Sequence, residues 1–458
     1  MTAQSEENSL AGRWMRYARV GSSMAGLGAR MAGERYLGLK MEREKAAVDM
    51  KEALGGLKGP LMKVAQMLAT IPEALPKEYA DELRQLQSNA PPMGWPFVKR
   101  RMAAELGPNW QQRFARFEHD AAAAASLGQV HKAVHHDGRL LACKLQYPDM
   151  QSAVEADLNQ LRIIFGIFER YDKAISTKQI HAEVAARLRE ELDYALEAKH
   201  CMLYRDMLGD EAGVHVPEVV PELSTKRLLT ATWLEGEPIM SFVEGHQERR
   251  NVLAMNMFRA WYVPLYYYGV IHGDPHLGNY SVRGDDSMNL LDFGCVRVFP
   301  PSFVRGVIEL YRALQTDDRD RAVYAYETWG FRNMTRELVD VLNMWASFIY
   351  GPILEDRIRL IGEADHGVYG RERAEKVHVE LRKLGGVEVP REFVFMDRAA
   401  LGLGSVFIHL KARINWYTLF NELIADFDEP ALTARQADML NRHGVPLPPP
   451  PGTEGKTV

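Results

Sequence analysis

Cysteine is nearly missing from this chain, which has only Cys143, Cys201 and Cys295 among 458 residues. The three stand far apart, with no C-x-x-C and no Cys/His cluster. That excludes a disulfide scaffold and a zinc site, and it fits a reducing compartment. Long apolar runs are also missing. The best stretches, Ala260–Ile271 and Ala399–Leu410, are short and interrupted, well below the roughly 20 residues a spanning helix needs. The N-terminus has no apolar core followed by a small-residue cleavage site. No transmembrane segment is therefore expected, and the location expected is cytoplasmic, peripheral at a membrane at most. An excess of positive charge is missing too. Lys and Arg number 56 against 61 Asp and Glu, a net charge of −5, and a dedicated nucleic-acid binder would be basic.

What is present is ordinary for a soluble protein, 47% apolar and 26% charged. The length suits one large two-lobed domain or two to three domains. Residues 1–10 are polar. "RWMRYARVGSSMAGLGARMAG", Arg13 to Gly33, sets Arg13, Arg16 and Arg19 at helical spacing. It reads as a packing helix or one that lies on an anionic membrane surface. Several helices are expected over 41–105, with Pro76 at a helix start and Pro91-Pro92 past its end. The period then changes. In "GQVHKAVHHDGRLLACKLQ" the residues alternate, and Asp137-Gly138 separates two β-type runs, a hairpin signal. Helices follow near 151–172 and 178–208, then a strand in "KRLLTATWLEGEPI", then mostly helix to about 425. The end, "VPLPPPPGTEGKTV", is Pro-rich.

Chemistry concentrates in "HGDPHLGNYSVRGDDSMNLLDFGC", His272 to Cys295. Phosphoryl transfer asks for an orienting carboxylate or base, hard oxygen ligands for magnesium, and a cation on the phosphates. Kinase catalytic loops carry Asp and Asn in H-R-D-x-x-x-x-N, with D-F-G downstream. Here "HGDPHLGN" supplies Asp274 and Asn279, and 279 − 274 = 5. "LLDFG" supplies Asp292 after an apolar pair. Asp274 is the expected base or orienter, with Asn279 and Asp292 as the magnesium ligands. Two unrelated turns could use Asp, Asn and Gly for backbone reasons, but turn chemistry does not demand this spacing.

The same mechanism needs a Lys on an upstream strand and an acid on a following helix. "LLACKLQ" offers Lys144 inside an apolar run, and "EELDYALEA" offers Glu190, Glu191, Asp193 and Glu197. Asp193 and Glu197, four apart, are expected on one helix face. The glycine-rich phosphate loop G-x-G-x-x-G is missing. In its place stands "AAAAASLGQVH", Ala121 to His131, with Gly128 alone. Ala disfavours positive φ and favours a tighter, more helical loop.

These motifs together resemble the UbiB family of atypical kinases, also called AarF-type. Its Ala-rich loop A-A-A-S-[IL]-G-Q-V-H is matched by Ala123–His131. Its K-x-G-Q motif is matched by Lys63 and Gln66 in "KVAQMLATIPEALPKEYADELRQLQSNAPP", and its E-x-D by Glu191 and Asp193 with Glu197 beyond. The resemblance spans roughly residues 50 to 420. It implies a nucleotide site, for ATP or ADP with Mg2+, formed by Ala123, Ala124, Ala125, Ser126, Gly128, Gln129 and Lys144. It also implies that Lys144 pairs with Glu197, and that Lys63 reaches toward Glu191 and Asp193 over the nucleotide site. The activity implied is ATP binding and hydrolysis rather than protein phosphorylation. It is coupled to ubiquinone (coenzyme Q) biosynthesis and membrane lipids, with a quinone or lipid and ubiquinone biosynthesis proteins as partners. Two features depart from the family: Ala65 replaces the motif Gly, and the transmembrane helices of many relatives are not seen.

The expected fold is α+β and protein-kinase-like, two-lobed with a helical N-terminal extension. Its parts are 1–40, a membrane-surface or packing helix; 41–105, the extension; 106–236, a small lobe; 237–425, a helical lobe; and 426–458, a Pro-rich tail. Two other functions compete. Small-molecule kinases of the aminoglycoside or choline type also use H-G-D-x-H-x-G-N, but lack the Ala-rich loop and the K-x-G-Q extension. A nucleotide-binding pseudokinase scaffold would not need the catalytic carboxylates, all of which are here.

Overall fold

The computed structural model describes residues 93–125, 127–171, 177–362, 377, 380 and 390–448. Lys63, Gln66, Ala65, Ser126 and the Arg13–Gly33 segment lie outside them. Two compact units divide the chain. Within the described residues the first holds 93–195 and 221–230, and the second holds 196–220 and 231–448. Residues 196–220, expected in the small lobe, thus group with the second unit.

The first unit is built on a sheet of β1 (Arg116–Phe117), β2 (Ala123–Ala125), β3 (Gly128–Val134), β4 (Leu140–Gln146) and β6 (Leu228–Thr232). Its order is β1-β3-β4-β6, with β2 paired to β3. β3 and β4 form the expected antiparallel hairpin, in register from Gly128 opposite Gln146 to Val134 opposite Leu140. Gly138 turns the corner at φ 88°, a backbone region only glycine enters freely. The Asp137 carboxylate accepts from the Arg139 N–H at 3.0 Å, which fixes the turn. Alternation along β4 buries Leu141, Cys143 and Leu145 and leaves Lys144 on the less buried face.

Among the described residues, three helices belong to this unit: α1 (Trp95–Leu106), α2 (Met150–Tyr171) and α3 (Thr177–Glu191). α1 starts on Pro96, which suits a first helical turn, and buries Val98, Met102 and Leu106. A fourth helix, α4 (Tyr194–Met207), begins here and runs on into the second unit. A single helix was expected over 178–208. The chain instead breaks at Leu192 and Asp193, where the Gln146 side chain bonds the Leu192 carbonyl at 3.0 Å and Lys226 bonds the Tyr194 N–H at 3.2 Å. Asp193 and Glu197 therefore do not share one helix face.

The second unit centres on α5 (Gln247–Tyr268), which buries Leu253, Met257, Phe258 and Trp261. Gly269 closes the helix in the left-handed region at φ 65°. Short strands follow: β8 (Val270–His272), β9 (Tyr280–Val282), β10 (Met288–Leu290) and β11 (Val296–Val298). β5 (Val214–His215), β10, β9 and β7 (Glu237–Pro238) make one sheet in that order, and β8 pairs with β11. Helices α6 (Pro301–Thr316), α7 (Arg319–Thr328), α8 (Arg336–Leu354), α9 (Arg391–Leu410), α10 (Trp416–Ile424) and α11 (Glu429–His443) follow, with strands β12 (Arg359–Leu360) and β13 (Arg413–Ile414).

The expected Pro-rich tail from 426 starts with α11. Asp428 caps that helix through the Ala431 N–H at 2.8 Å, and Leu432 and Leu440 anchor it. The apolar spacing of this stretch had been overshadowed by the prolines after it. Among the described residues, no helix is long and apolar enough to cross a membrane.

Candidate active site

In the second unit, the residues singled out by spacing come together on two adjoining loops. β8 runs antiparallel to β11, with His272 opposite Val296. The chain leaves β8 into Gly273–Asn279 and enters β11 from Asp292–Cys295, so the ladder brings both loops to the same end. The Gly273 N–H bonds the Cys295 carbonyl at 2.6 Å.

His272 is fully buried and ties the loops again. Its Nδ1 accepts from the Asp274 N–H at 3.2 Å, so Nε2 carries the proton and donates to the Asp292 carbonyl at 2.6 Å. The Trp261 indole N–H holds the His272 carbonyl at 3.1 Å. One imidazole thus sets the spacing of two main-chain segments, each carrying an acid.

Asn279 is oriented by its amide nitrogen, which donates to the Asp274 carbonyl at 3.1 Å. The Asn279 amide oxygen consequently faces away from that bond. The Asn279 carbonyl accepts from the Leu291 N–H at 3.0 Å, a third tie between the loops. The Asp292 Oδ1 accepts from the Gly294 N–H at 3.0 Å. A Cβ on Gly294 would stand 3.3 Å from that oxygen and 4.0 Å from Oε2 of Glu197. Glu197, in the first turn of α4, is only 3% exposed, and so faces the same glycine as Asp292. Burial, and then the nearby Asp274, Tyr204 and Asp292, hold the Tyr280 phenol well above its usual range. On α9, Gly402 makes room for the loop, since a Cβ there would meet Pro275 Cγ at 2.2 Å.

In the first unit, the Ala-rich run is a strand. Ala123, Ala124 and Ala125 lie opposite Val130, Gln129 and Gly128. A helical loop was expected from alanine's propensity. Three residues are too few to nucleate a helix, and the ladder to β3 supplies the backbone bonds instead. Gly128 closes the turn under constraint, because a Cβ would meet the Leu145 carbonyl at 2.2 Å and the Tyr194 hydroxyl at 2.7 Å. Gly128→Ala is therefore expected to destabilise the fold by about 1–3 kcal/mol, as a lower urea midpoint at unchanged m-value.

Gln129 turns inward and is 2% exposed. Its amide grips the Met93 backbone at both ends, accepting from the N–H at 2.7 Å and donating to the carbonyl at 3.2 Å. The same nitrogen lies 2.8 Å from His131 Nε2, and His131 Nδ1 lies 2.9 Å from the Glu118 carbonyl. Burial pushes the His131 imidazole below its usual range. Lys144 projects over the Tyr194 ring, its Nζ 5.2 Å from the centroid. Glu191 ends α3 and Asp193 occupies the break before α4.

The ABC1 atypical kinase-like domain matches residues 85–326, more than half of the chain. The chain belongs to this ABC1 family, the UbiB or AarF type of atypical kinase. Among its relatives is the atypical kinase COQ8, mitochondrial, of Saccharomyces cerevisiae, 32% identical over 250 residues, which are 54% of this chain and 50% of that protein. The coq-8 protein of Caenorhabditis elegans is 28% identical over 69% of this chain and 42% of its own length. AarF domain-containing protein kinase 1 of Gallus gallus is 29% identical over 60% of this chain and 55% of its own. The chain thus spans about half the length of the curated relatives it matches. Rv3197 of Mycobacterium tuberculosis, solved as a complex with erythromycin, superimposes with a TM-score of 0.58 at 28% identity. That likeness covers 83% of this chain and 96% of Rv3197. The ABC1 fold, kinase-like and α+β, is the one described above.

Within the ABC1 domain, spacing singles out Asp274, Asn279 and Asp292 but assigns His272 no task. Its signal was position alone, one residue outside the Gly273-Asp274 pair on an apolar strand. Gln129 had been placed at the nucleotide, whereas its amide is occupied with Met93 and His131.

Proposed function

We propose that the chain is an ATP-dependent atypical kinase or ATPase of the UbiB type, which binds MgATP and transfers or hydrolyses its terminal phosphate. The observation carrying this reading is the tying of Asp274 and Asp292 to the buried His272, with Asn279 held in turn on the Asp274 carbonyl. Phosphoryl transfer needs these groups positioned more than it needs covalent chemistry. The donor set fits magnesium, a hard ion that takes carboxylate and amide oxygens and keeps its remaining positions for water and phosphate. Asn279 and Asp292 would hold it. When bound, the ion neutralises charge on the transferring phosphate. Asp274 orients the attacking hydroxyl or water and accepts its proton. On the family resemblance alone, Lys144 is assigned to the phosphates with Glu197 as its acid, the Ala123–Gly128 turn to the nucleotide, and Lys63 and Gln66 with Glu191 and Asp193 to regulation.

The names of the yeast and nematode relatives support a role in ubiquinone biosynthesis, and membrane lipid handling rests on the family resemblance alone. The ABC1 match supports this reading over a small-molecule kinase of the aminoglycoside or choline type. The test is ATP turnover by the purified full chain. Phosphate release should require Mg2+ and rise with anionic liposomes or a quinone-precursor analogue. No release above the buffer rate under any of these conditions leaves the pseudokinase scaffold as the reading.

A further inference from the structure

The first unit carries a cationic hollow, built from α1, the end of β4 and the loop before β6. It is a cavity of about 250 Å³ whose lining includes Arg100, Arg101, Arg227, Asp149 and Ser152. Three arginines face one acid there. The arginines differ in how they are held. Arg101 is locked, its side chain 10% exposed, with Nε on the Gln146 carbonyl at 3.0 Å, Nη2 on the Tyr147 carbonyl at 3.1 Å and Nη1 on Glu105 at 3.2 Å. Arg100 lies over the Phe97 ring at 5.7 Å. Among the described residues, neither the Arg100 nor the Arg227 guanidinium has an acidic partner. Two exposed guanidiniums therefore line a hollow in which, among the described residues, neither is ion-paired.

The floor adds to this. Asp149, at φ 57°, turns the chain into the 22-residue helix α2. The first-turn N–H groups of Met150, Gln151 and Ser152 have no carbonyl one turn back to bond. No acid stands in that first turn. Guanidinium forks match phosphate oxygens two at a time, and a helix start favours negative charge. The volume lies below the roughly 300–1,000 Å³ of pockets that enclose drug-sized ligands, so a phosphate with a small substituent fits and a whole nucleotide does not.

We propose that this cavity is an anion site for a compact phosphate group, either a small soluble phosphate or pyrophosphate or the phosphate of a lipid headgroup, clasped by Arg100 and Arg227 against the wall made by Arg101. The occupant would brace β4 close to Lys144. The Gln146 N–H bonds the Arg227 carbonyl at 3.0 Å, the Gln146 carbonyl holds Arg101, and the Gln146 side chain holds Leu192 at 3.0 Å. The lining shares no residue with the Asp274–Asp292 loops, and its test contains no nucleotide, so it stands or falls apart from the phosphoryl-transfer reading.

The experiment uses the full chain in EDTA, titrated with sodium pyrophosphate, and in parallel sedimented with phosphatidylcholine vesicles with and without phosphatidic acid. Wild type is expected to bind pyrophosphate, or to pellet only with the phosphatidate vesicles, and the arm that responds names the source. Arg100→Gln/Arg227→Gln should weaken that binding about 100-fold, roughly tenfold for each lost fork. Asp149→Asn should tighten it several-fold, a gain that unfolding cannot produce, and it decides the matter if the arginine variant does not fold. Wild type taking up neither probe overturns the proposal, as does a folded arginine variant that binds as the wild type does.

Discussion

Asp274→Asn is expected to lower ATP turnover by about 10²–10⁴-fold, the usual contribution of a positioned general base, while MgATP affinity and thermal stability stay close to wild type. The reason lies in how the loop is held. Asp274 is fixed through its main chain, its N–H to His272 Nδ1 at 3.2 Å and its carbonyl to the Asn279 amide at 3.1 Å. Exchanging the carboxylate for an amide leaves both bonds in place and removes only the proton acceptor. Single-turnover phosphate release with ATP in excess over its dissociation constant separates the two effects. Turnover within threefold of wild type would take Asp274 out of the chemistry.

Asp292→Asn should act on binding instead. Outer partners of a metal ligand already account for about 10–100-fold in affinity, and loss of a carboxylate ligand should weaken MgATP binding by at least about 100-fold. The amide keeps a carbonyl oxygen for the Gly294 N–H, which now bonds Asp292 Oδ1 at 3.0 Å, so the loop should keep its form. Isothermal titration with MgATP and with ATP in EDTA gives the comparison. The variant should differ from wild type only in the first. An equal loss in both titrations would mean that Asp292 shapes the nucleotide site directly and does not ligate the ion.

That Asp274, Asn279 and Asp292 lie on adjoining loops was legible because their spacing matches a known kinase pattern. The β3–β4 hairpin was legible because Asp137-Gly138 meets a local backbone requirement. What was not legible depends on distant partners. Gln129 meets Met93 across 36 positions and the Gln146 side chain meets Leu192 across 46. No periodicity encodes either bond, though the first draws Gln129 into the core and the second helps to break α3 from α4. The Ala-rich run shows the same limit at short range. Propensity favours helix for Ala123–Ala125, but pairing with β3 overrides it. Helix α11 is hidden for another reason: the Pro-rich stretch that follows obscures the apolar spacing of Glu429–His443.

Because His272 and main-chain bonds tie the Gly273–Asn279 and Asp292–Cys295 loops together, and an asparagine at 292 keeps an oxygen for the Gly294 N–H, folding puts little constraint on the charge at these two positions. An aspartate codon becomes an asparagine codon by one base change, and at either Asp274 or Asp292 the product would remain soluble, compact and invisible to cellular quality control. Loss of chemistry in such a lineage would leave no mark on abundance or heat resistance. On the proposed function, gene copies that have lost ATP turnover should therefore persist as folded proteins, open to recruitment as binding partners, and only the letters at these two positions would betray them.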